Sequence, residues 1–144
     1  MTQPDPIYRY QFNIPADALD ANGHVNNVQY VQWMQDVAVS HFTALGGMEP
    51  TLALGATWVV HSHNIEYLNP AFAGEQIEMR TWVASIQRVR SLRRYEFVRL
   101  ADTKLLVRGA TEWVFVDAKT GRPLAIPAEV TRVFPLLPDQ DMIK

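Results

Sequence analysis

The chain has 144 residues and a formal net charge of -2, with 48% hydrophobic and 19% charged residues. This length predicts one domain over residues 1–144 that can bury a core unaided, and the near-neutral charge argues against a general attraction to nucleic acid or anionic membranes. Because the sequence has no cysteine, disulfides, thiolate nucleophiles and zinc–cysteine sites are excluded, and a reducing compartment is favoured.

The cellular location is predicted from two features of the sequence. Residues 1–6 lack the basic and apolar regions of a signal peptide. No apolar run approaches the ~20 residues that are needed to cross a bilayer. We therefore expect a cytoplasmic protein with no membrane partner.

The first predicted elements are a strand over residues 7–14 and a long helix over residues 27–45. In the strand, apolar and polar residues alternate, with Tyr8, Tyr10, Phe12 and Ile14 on one face. The helix has an apolar stripe of Val31, Met34, Ala38, Phe42 and Leu45. Gly46 and Gly47 follow the stripe and are suited to end the helix.

Four more strands are predicted after a loop around Gly55, over residues 57–67, 75–86, 92–100 and 104–116. The breaks between them are short, which favours antiparallel neighbours. A brief final helix is predicted over residues 126–134. One strand, one long helix and four further strands predict the α+β class, with an apolar helix packed on one face of an antiparallel sheet.

A polar loop immediately precedes the long helix. Asn22 and Gly23 favour a turn because both residue types tolerate positive φ, and Asn26 or Asn27 is suited to cap the helix. Free amides and the positive end of the helix dipole suit an anionic or oxyanionic ligand atom at this place. The alternative is that Asp20 and the asparagines only turn and cap the chain.

The sequence of this loop resembles the signature of hotdog-fold thioesterases of the acyl-CoA and acyl-ACP types. The resemblance is carried by Asp20, Asn22, His24, Val25, Asn26, Asn27 and Tyr30. It implies a hotdog fold, in which a five-stranded antiparallel sheet wraps around one long central helix. It also implies hydrolysis of a thioester to a carboxylic acid and a thiol, with no metal or redox cofactor.

The resemblance further implies a role for each matching residue. Asp20 falls on the catalytic carboxylate, which acts as a general base or as a nucleophile. Asn22 and His24 fall on residues assigned to catalysis in the plant acyl-ACP enzymes. Gly23 belongs to the Asp-x-x-Gly core that 4-hydroxybenzoyl-CoA and other acyl-CoA thioesterases share, and in those enzymes a backbone amide near Asn27 polarises the thioester carbonyl.

Further observations bear on which substrate the protein uses and on its oligomeric state. Tyr30 and Trp33 are expected to border the acyl pocket. The plant acyl-ACP enzymes have an additional glutamate where this chain has Pro70, which favours acyl-CoA over acyl-ACP as the substrate. A non-catalytic module that binds acyl thioesters is a further alternative.

Apolar residues on both faces of several strands, such as Trp58 and Trp82, predict a homodimer or homotetramer, as in the hotdog family.

The remaining candidates have weaker support. Arg88 and Arg90 in a predicted turn are candidates for the phosphates of CoA, and an ordinary charged hairpin is the alternative. His61 and His63, two residues apart on a strand, are expected on the same face, where they would need a third ligand to bind a metal. Glu66 and Asp36 are expected to be exposed carboxylates.

Overall fold

The computed structural model of the protein describes residues 5–139, so residues 1–4 of the segment used to judge a signal peptide lie outside the described residues. The strands are β1 (Tyr8–Asn13), β2 (Ala56–Tyr67), β3 (Gln76–Gln87), β4 (Arg90–Arg99) and β5 (Lys104–Asp117). The helices are α1 (Asn27–Ala44), α2 (Met48–Ala53) and α3 (Ala128–Thr131), and a 3-10 turn covers Ala16–Ala18. None of the helices in this part of the chain is long and apolar enough to cross a membrane.

The five strands form one antiparallel sheet in the order β1-β3-β4-β5-β2. The 18-residue helix α1 packs on one face of this sheet, which confirms the predicted α+β class and hotdog arrangement. Strands β1 and β2 form the two edges, and β2 is twice as long as β1, with 12 residues against 6. The unpaired edge formed by β2 is therefore longer than the unpaired edge formed by β1.

The core lies between α1 and the sheet. Helix α1 buries Tyr30, Met34, Val37, Ala38, His41 and Phe42. Around its first half, Met34 and Tyr30 pack with Tyr95 and Phe97 of β4, and around its second half Phe42 packs with Phe115. Each such large apolar side chain contributes about 1.5–3 kcal/mol on burial. The predicted apolar stripe is thus confirmed for Met34, Ala38 and Phe42, whereas Val31 and Leu45 are only half-buried. This packing fixes the start of α1 at one end of the sheet.

Three parts of the chain differ from the prediction by more than one residue. Helix α2 occupies part of the predicted loop before Gly55, because six residues are too few to show a helical period. Strand β4 begins at Arg90 and not at residue 92, since a two-residue turn with Arg88 at φ 43° closes the hairpin. Helix α3 ends at Thr131, because the amides of Val133 and Phe134 bond three residues back, at 3.3 and 3.2 Å, and tighten the chain.

Candidate active site

The polar loop before α1 is held in a tight turn by its own backbone. The Asp20 amide donates to the His24 carbonyl at 2.7 Å, and the Gly23 amide donates to the Asp20 carbonyl at 3.1 Å. Gly23 has a φ of 79°, a conformation that glycine adopts without strain. The Val25 amide donates to the Ala71 carbonyl at 3.0 Å and ties the loop to the segment after β2. Asp20 is therefore held beside the start of α1.

The two carboxylate oxygens of Asp20 have different surroundings. Oδ1 accepts hydrogen bonds from the amides of Asn22 at 2.9 Å and His24 at 3.2 Å, which is the turn-forming arrangement that the sequence allowed. Oδ2 accepts no hydrogen bond from residues 5–139. One oxygen thus stabilises the loop, while the other is available to a water molecule or a substrate.

The start of α1 leaves one backbone amide without a partner. Asn26 is the N-cap, and its side-chain oxygen accepts from the Val28 amide at 3.0 Å. The Asn26 carbonyl accepts from the Gln29 amide at 2.9 Å. The amide of Asn27, the first helical residue, donates to no described residue. Since it lies at the positive end of the helix dipole, this amide is suited to bind a partly negative oxygen.

A cavity of about 310 Å³ lies at this end of α1, and we name it the loop cavity. Its lining includes Asp20, His24, Asn27, Tyr30, Tyr67 and Asn69. The hydroxyl of Tyr67 donates to the Asn27 carbonyl at 3.2 Å and joins the end of β2 to the start of α1. The ring of His24 meets the ring of Phe72 edge-on, with 5.2 Å between their centroids. Four of the residues predicted from the sequence are therefore brought together.

Tyr30 forms an apolar wall of the loop cavity. It is 4% exposed, and its ring packs edge-on against Phe97 at 5.0 Å and Trp33 at 5.6 Å. Burial, followed by the charge of Glu75, raises the pKa of Tyr30 to about 12, so the hydroxyl remains protonated at neutral pH. Trp33 does not line the loop cavity and packs in the core against Phe12 and Phe97.

Several predicted candidates lie outside the loop cavity. Asn22 and Gly23 are exposed and line no part of it, although the Asn22 amide holds Asp20. Glu66 is exposed and pairs with Arg108 at 2.7 Å, and this hydrogen bond lowers the pKa of its carboxyl group. Asp36 is exposed and accepts from Gln32 at 2.9 Å. The expectation that both carboxylates lie on the surface is confirmed.

Tyr67 and Asn69 line the loop cavity but are absent from the sequence prediction. Both come from the end of β2 and the segment after it, 47 and 49 residues from Asp20 along the chain. The Asn69 side chain donates to the Leu105 carbonyl at 2.9 Å and so fixes this segment on β5. No local motif marks these positions, because their place in the cavity depends on the pairing of β2 with β5.

The two arginines that were predicted to contact the phosphates of CoA do not form one patch. Arg90 lies on β4 rather than in the turn, and its Nη1 donates to Glu112 at 2.6 Å, whereas Arg88 is exposed in the turn. Both residues lie beyond the far end of β3 from the loop cavity, and the 12 residues of β3 have an extended length of roughly 40 Å. Arg93 is buried. Arg88 and Arg90 are therefore outside the loop cavity of their own chain.

The two histidines of β2 do not share a face, so that prediction was wrong. A shift in register between Val60 and Ser62 places a bulge at His61. His61 Nδ1 lies 3.3 Å from Glu112, while His63 Nδ1 lies 2.8 Å from the hydroxyl of Thr111. Consecutive strand residues point to opposite faces. Within residues 5–139 no group of three potential ligands has the geometry of a metal site.

Comparison with known proteins points to one family. The family model described as the thioesterase-like superfamily matches residues 14–134. No curated protein matches the chain.

Solved structures with a similar fold include thioesterases for different carriers. The 1,4-dihydroxy-2-naphthoyl-CoA thioesterase from Synechocystis has a TM-score of 0.78 at 16% identity, covering 88% of this chain and 94% of that chain. The DHNA-CoA thioesterase from Staphylococcus aureus has a TM-score of 0.74 at 21% identity, covering 83% and 80%. The 12:0-ACP thioesterase from Umbellularia californica has a TM-score of 0.83 at 18% identity, covering 96% and 55%. At these identities the likeness shows the shared fold.

Proposed function

Because this chain belongs to the thioesterase-like superfamily and is thus a thioester hydrolase, we propose that it is an acyl-CoA thioesterase that acts in the cytoplasm at the loop cavity. One observation carries the proposal. Asp20 and the unpartnered Asn27 amide line the same cavity at the positive end of α1. A carboxylate beside a free amide supplies the two groups that thioester hydrolysis needs, one to activate or supply a nucleophile and one to stabilise the oxyanion.

In the proposed reaction, the Asn27 amide donates a hydrogen bond to the thioester carbonyl oxygen. Asp20 Oδ2 then acts in one of two ways. As a general base it takes a proton from water, whose oxygen attacks the carbonyl carbon. As a nucleophile it attacks the carbon itself and forms a transient anhydride that water cleaves. In both routes the carbon–sulfur bond breaks, one water is consumed, and the products are R-COOH and HS-CoA.

His24 and Asn22 have positioning roles in this proposal. The amides of both residues hold Asp20 Oδ1, so that Oδ2 is directed to the reacting carbon. The His24 ring also lines the loop cavity, within reach of the water or of the leaving sulfur. Gly23 permits the turn, and Tyr30 forms the apolar wall beside the acyl group.

The decisive experiment is a panel of acyl thioesters that vary in acyl chain and in carrier. Saturable hydrolysis of at least one acyl-CoA supports the proposal, and binding without turnover across the panel would instead indicate a non-catalytic module. The second candidate is an acyl-ACP thioesterase, which the fold of the 12:0-ACP enzyme favours. Comparing CoA and ACP thioesters of one acyl chain separates the two, and Pro70 in place of the plant glutamate leads us to expect the higher kcat/KM with CoA.

We further propose that the protein is a homodimer formed through the edge of β2. This edge strand exposes Val59 (44%), and Tyr67 (44%) and Leu68 (43%) are exposed at its end. A long, partly apolar edge attracts another strand. Two identical edges related by a two-fold axis pair antiparallel, so the start of β2 in one copy lies beside the end of β2 in the other.

We expect sedimentation velocity at micromolar concentration to give the mass of a dimer or of a pair of dimers. Val59→Lys should shift the protein towards the monomer, because a charged side chain on an edge opposes strand pairing. Tyr10→Lys is the matched control, since Tyr10 is 54% exposed on the other edge strand, β1. A stable, fully active wild-type monomer would contradict the proposed dimer.

Of Arg88 and Arg90, Arg88 is the stronger candidate to contact the phosphates of CoA. Because Arg88 lies outside the loop cavity of its own chain, it can contact only CoA that is bound to a second copy. We expect Arg88→Ala to raise KM for acyl-CoA about fivefold, the size of an exposed charge contact, and to leave kcat nearly unchanged. Arg90→Ala should have a smaller effect, because Glu112 already binds Arg90. The increase in KM caused by Arg88→Ala should become smaller as salt is added. An unchanged KM at low ionic strength in both variants would place the phosphates elsewhere.

A further inference from the structure

A second cavity lies under the C-terminal half of α1, and we name it the arginine cavity. Its volume is about 150 Å³. Its lining includes Ala38, Phe42, Trp58, Ser91, Arg93 and Trp113. An apolar cavity of about 150 Å³ accommodates a group the size of a benzene ring. The arginine cavity therefore suits one end of a small organic molecule.

Arg93 is a buried cation in the wall of this cavity. It is 4% exposed and forms no salt bridge with residues 5–139. Its Nη1 donates to His41 Nδ1 at 2.9 Å and to the Thr81 hydroxyl at 3.1 Å. Burial, followed by the charge of Arg93, lowers the pKa of His41 to about 4, so the histidine is a neutral acceptor. Burial lowers the pKa of Arg93 only to about 10, and the guanidinium stays charged at neutral pH.

Hydrogen-bond donors at the arginine cavity exceed the acceptors that the described residues supply. The Nε and Nη2 groups of Arg93 donate to none of these residues, because both of its hydrogen bonds start from Nη1. The indole Nε1 of Trp58 is also buried without an acceptor in this part of the chain, whereas that of Trp113 lies near the buried hydroxyl of Tyr95. A buried cation with spare donors, in an otherwise apolar setting, is complementary to a group that brings negative charge and oxygen acceptors.

A carboxylate is the anion that fits these donors best. Its two oxygens match the Nε and Nη2 donors on the one free edge of the planar guanidinium, and its small size suits the cavity volume. CoA itself carries phosphates, but they lie at the far end of a long pantetheine arm from the thioester. An acidic group on the acyl chain is therefore a better match to the arginine cavity than the phosphates of CoA.

We propose that the arginine cavity binds a carboxylate at the far end of the acyl group, so that the preferred substrate is the CoA thioester of a dicarboxylic acid. This inference rests on the proposed thioesterase function and on the β2 dimer. Trp58 near the start of β2 lines the arginine cavity, and Tyr67 at its end lines the loop cavity. Antiparallel pairing of two β2 edges brings these ends together, so the acyl group runs from Asp20 of one copy to Arg93 of the other.

The kinetic test compares adipoyl-CoA with its ω-methyl ester, which has the same chain but lacks the second charge. We expect wild-type kcat/KM to be at least about tenfold higher for adipoyl-CoA, as expected for a charged hydrogen-bonded contact. Arg93→Met should abolish this preference and still hydrolyse the methyl ester. Arg80→Met is the matched control, because Arg80 lies on the other face of the sheet and pairs with Glu78, and it should keep the preference.

A binding test makes failure of this proposal distinguishable from failure of the thioesterase proposal. Free adipate and dimethyl adipate, which has no free carboxylate, are titrated into the protein at pH 7, and the intrinsic tryptophan fluorescence, to which Trp58 and Trp113 contribute, is recorded. Saturable binding of adipate that Arg93→Met removes supports the cavity assignment, even if no thioester is hydrolysed. If Arg93→Met does not fold, Trp58→Phe, which removes the indole donor that has no acceptor, should weaken adipate binding severalfold. Equal kcat/KM for the two thioesters, or binding of dimethyl adipate as tight as that of adipate, would overturn the proposal.

Discussion

Asp20→Asn should lower kcat by about 10²-fold or more, because asparagine neither takes a proton nor attacks a thioester readily. Its fold should be unchanged. Oδ1 of Asp20 accepts from the amides of Asn22 and His24, and a carboxamide oxygen can accept the same two hydrogen bonds. The substitution therefore keeps the turn and removes only the chemistry of Oδ2. Steady-state kinetics with the best acyl-CoA, together with denaturant unfolding of each variant, measure the two effects separately.

Two further variants control this experiment. Asp20→Ala loses both turn hydrogen bonds and should also lower the free energy of unfolding by about 1 kcal/mol. His24→Ala keeps the backbone amide that holds Asp20 and should reduce kcat less than Asp20→Asn does. Near-normal kcat in Asp20→Asn would refute the proposed mechanism. Glu66 and Asp36 offer no simple replacement, since both are exposed outside the loop cavity.

The parts of the site that the sequence predicted are those built by local interactions. Asp20, Gly23 and Asn26 bond within a few residues of themselves, so the turn and the helix cap follow from residue type and spacing. Helix α1 was predicted to begin at residue 27 and does so, because its apolar stripe repeats over 18 residues. The free Asn27 amide follows directly from the cap on Asn26.

The parts that were missed depend on contacts between distant segments. Arg93 lies among four other arginines, and no role of its own was predicted for it from the sequence. Its burial is decided by His41 and Thr81, which lie 52 and 12 residues away along the chain. The bulge at His61 likewise leaves no local signal, yet it turns His63 towards the helix. Such positions require the sheet register, which periodicity alone does not give.

The largest expected effect on stability comes from Phe97, at the centre of the packing between α1 and the sheet. Phe97 is 0% exposed and pairs across the sheet with Met79 and Val107. Phe97→Ala should lower the free energy of unfolding by about 3–5 kcal/mol, because it removes a buried ring and leaves a cavity. Denaturant unfolding at a fixed protein concentration measures this loss, since dimer formation makes stability depend on concentration.

The effect of Phe97→Ala should extend to the loop cavity, because the Phe97 ring supports Tyr30 at a centroid distance of 5.0 Å. Phe97→Leu retains most of the buried volume and should cost clearly less, while Tyr10→Ala on the exposed edge should stay within about 0.5 kcal/mol of wild type. A small apolar ligand such as benzene should partly restore the stability of Phe97→Ala by filling the new cavity. If the free energy of unfolding of Phe97→Ala instead equals that of Tyr10→Ala, helix α1 does not pack on β4 as described. The inference that Phe97 supports Tyr30 in the loop cavity then fails as well.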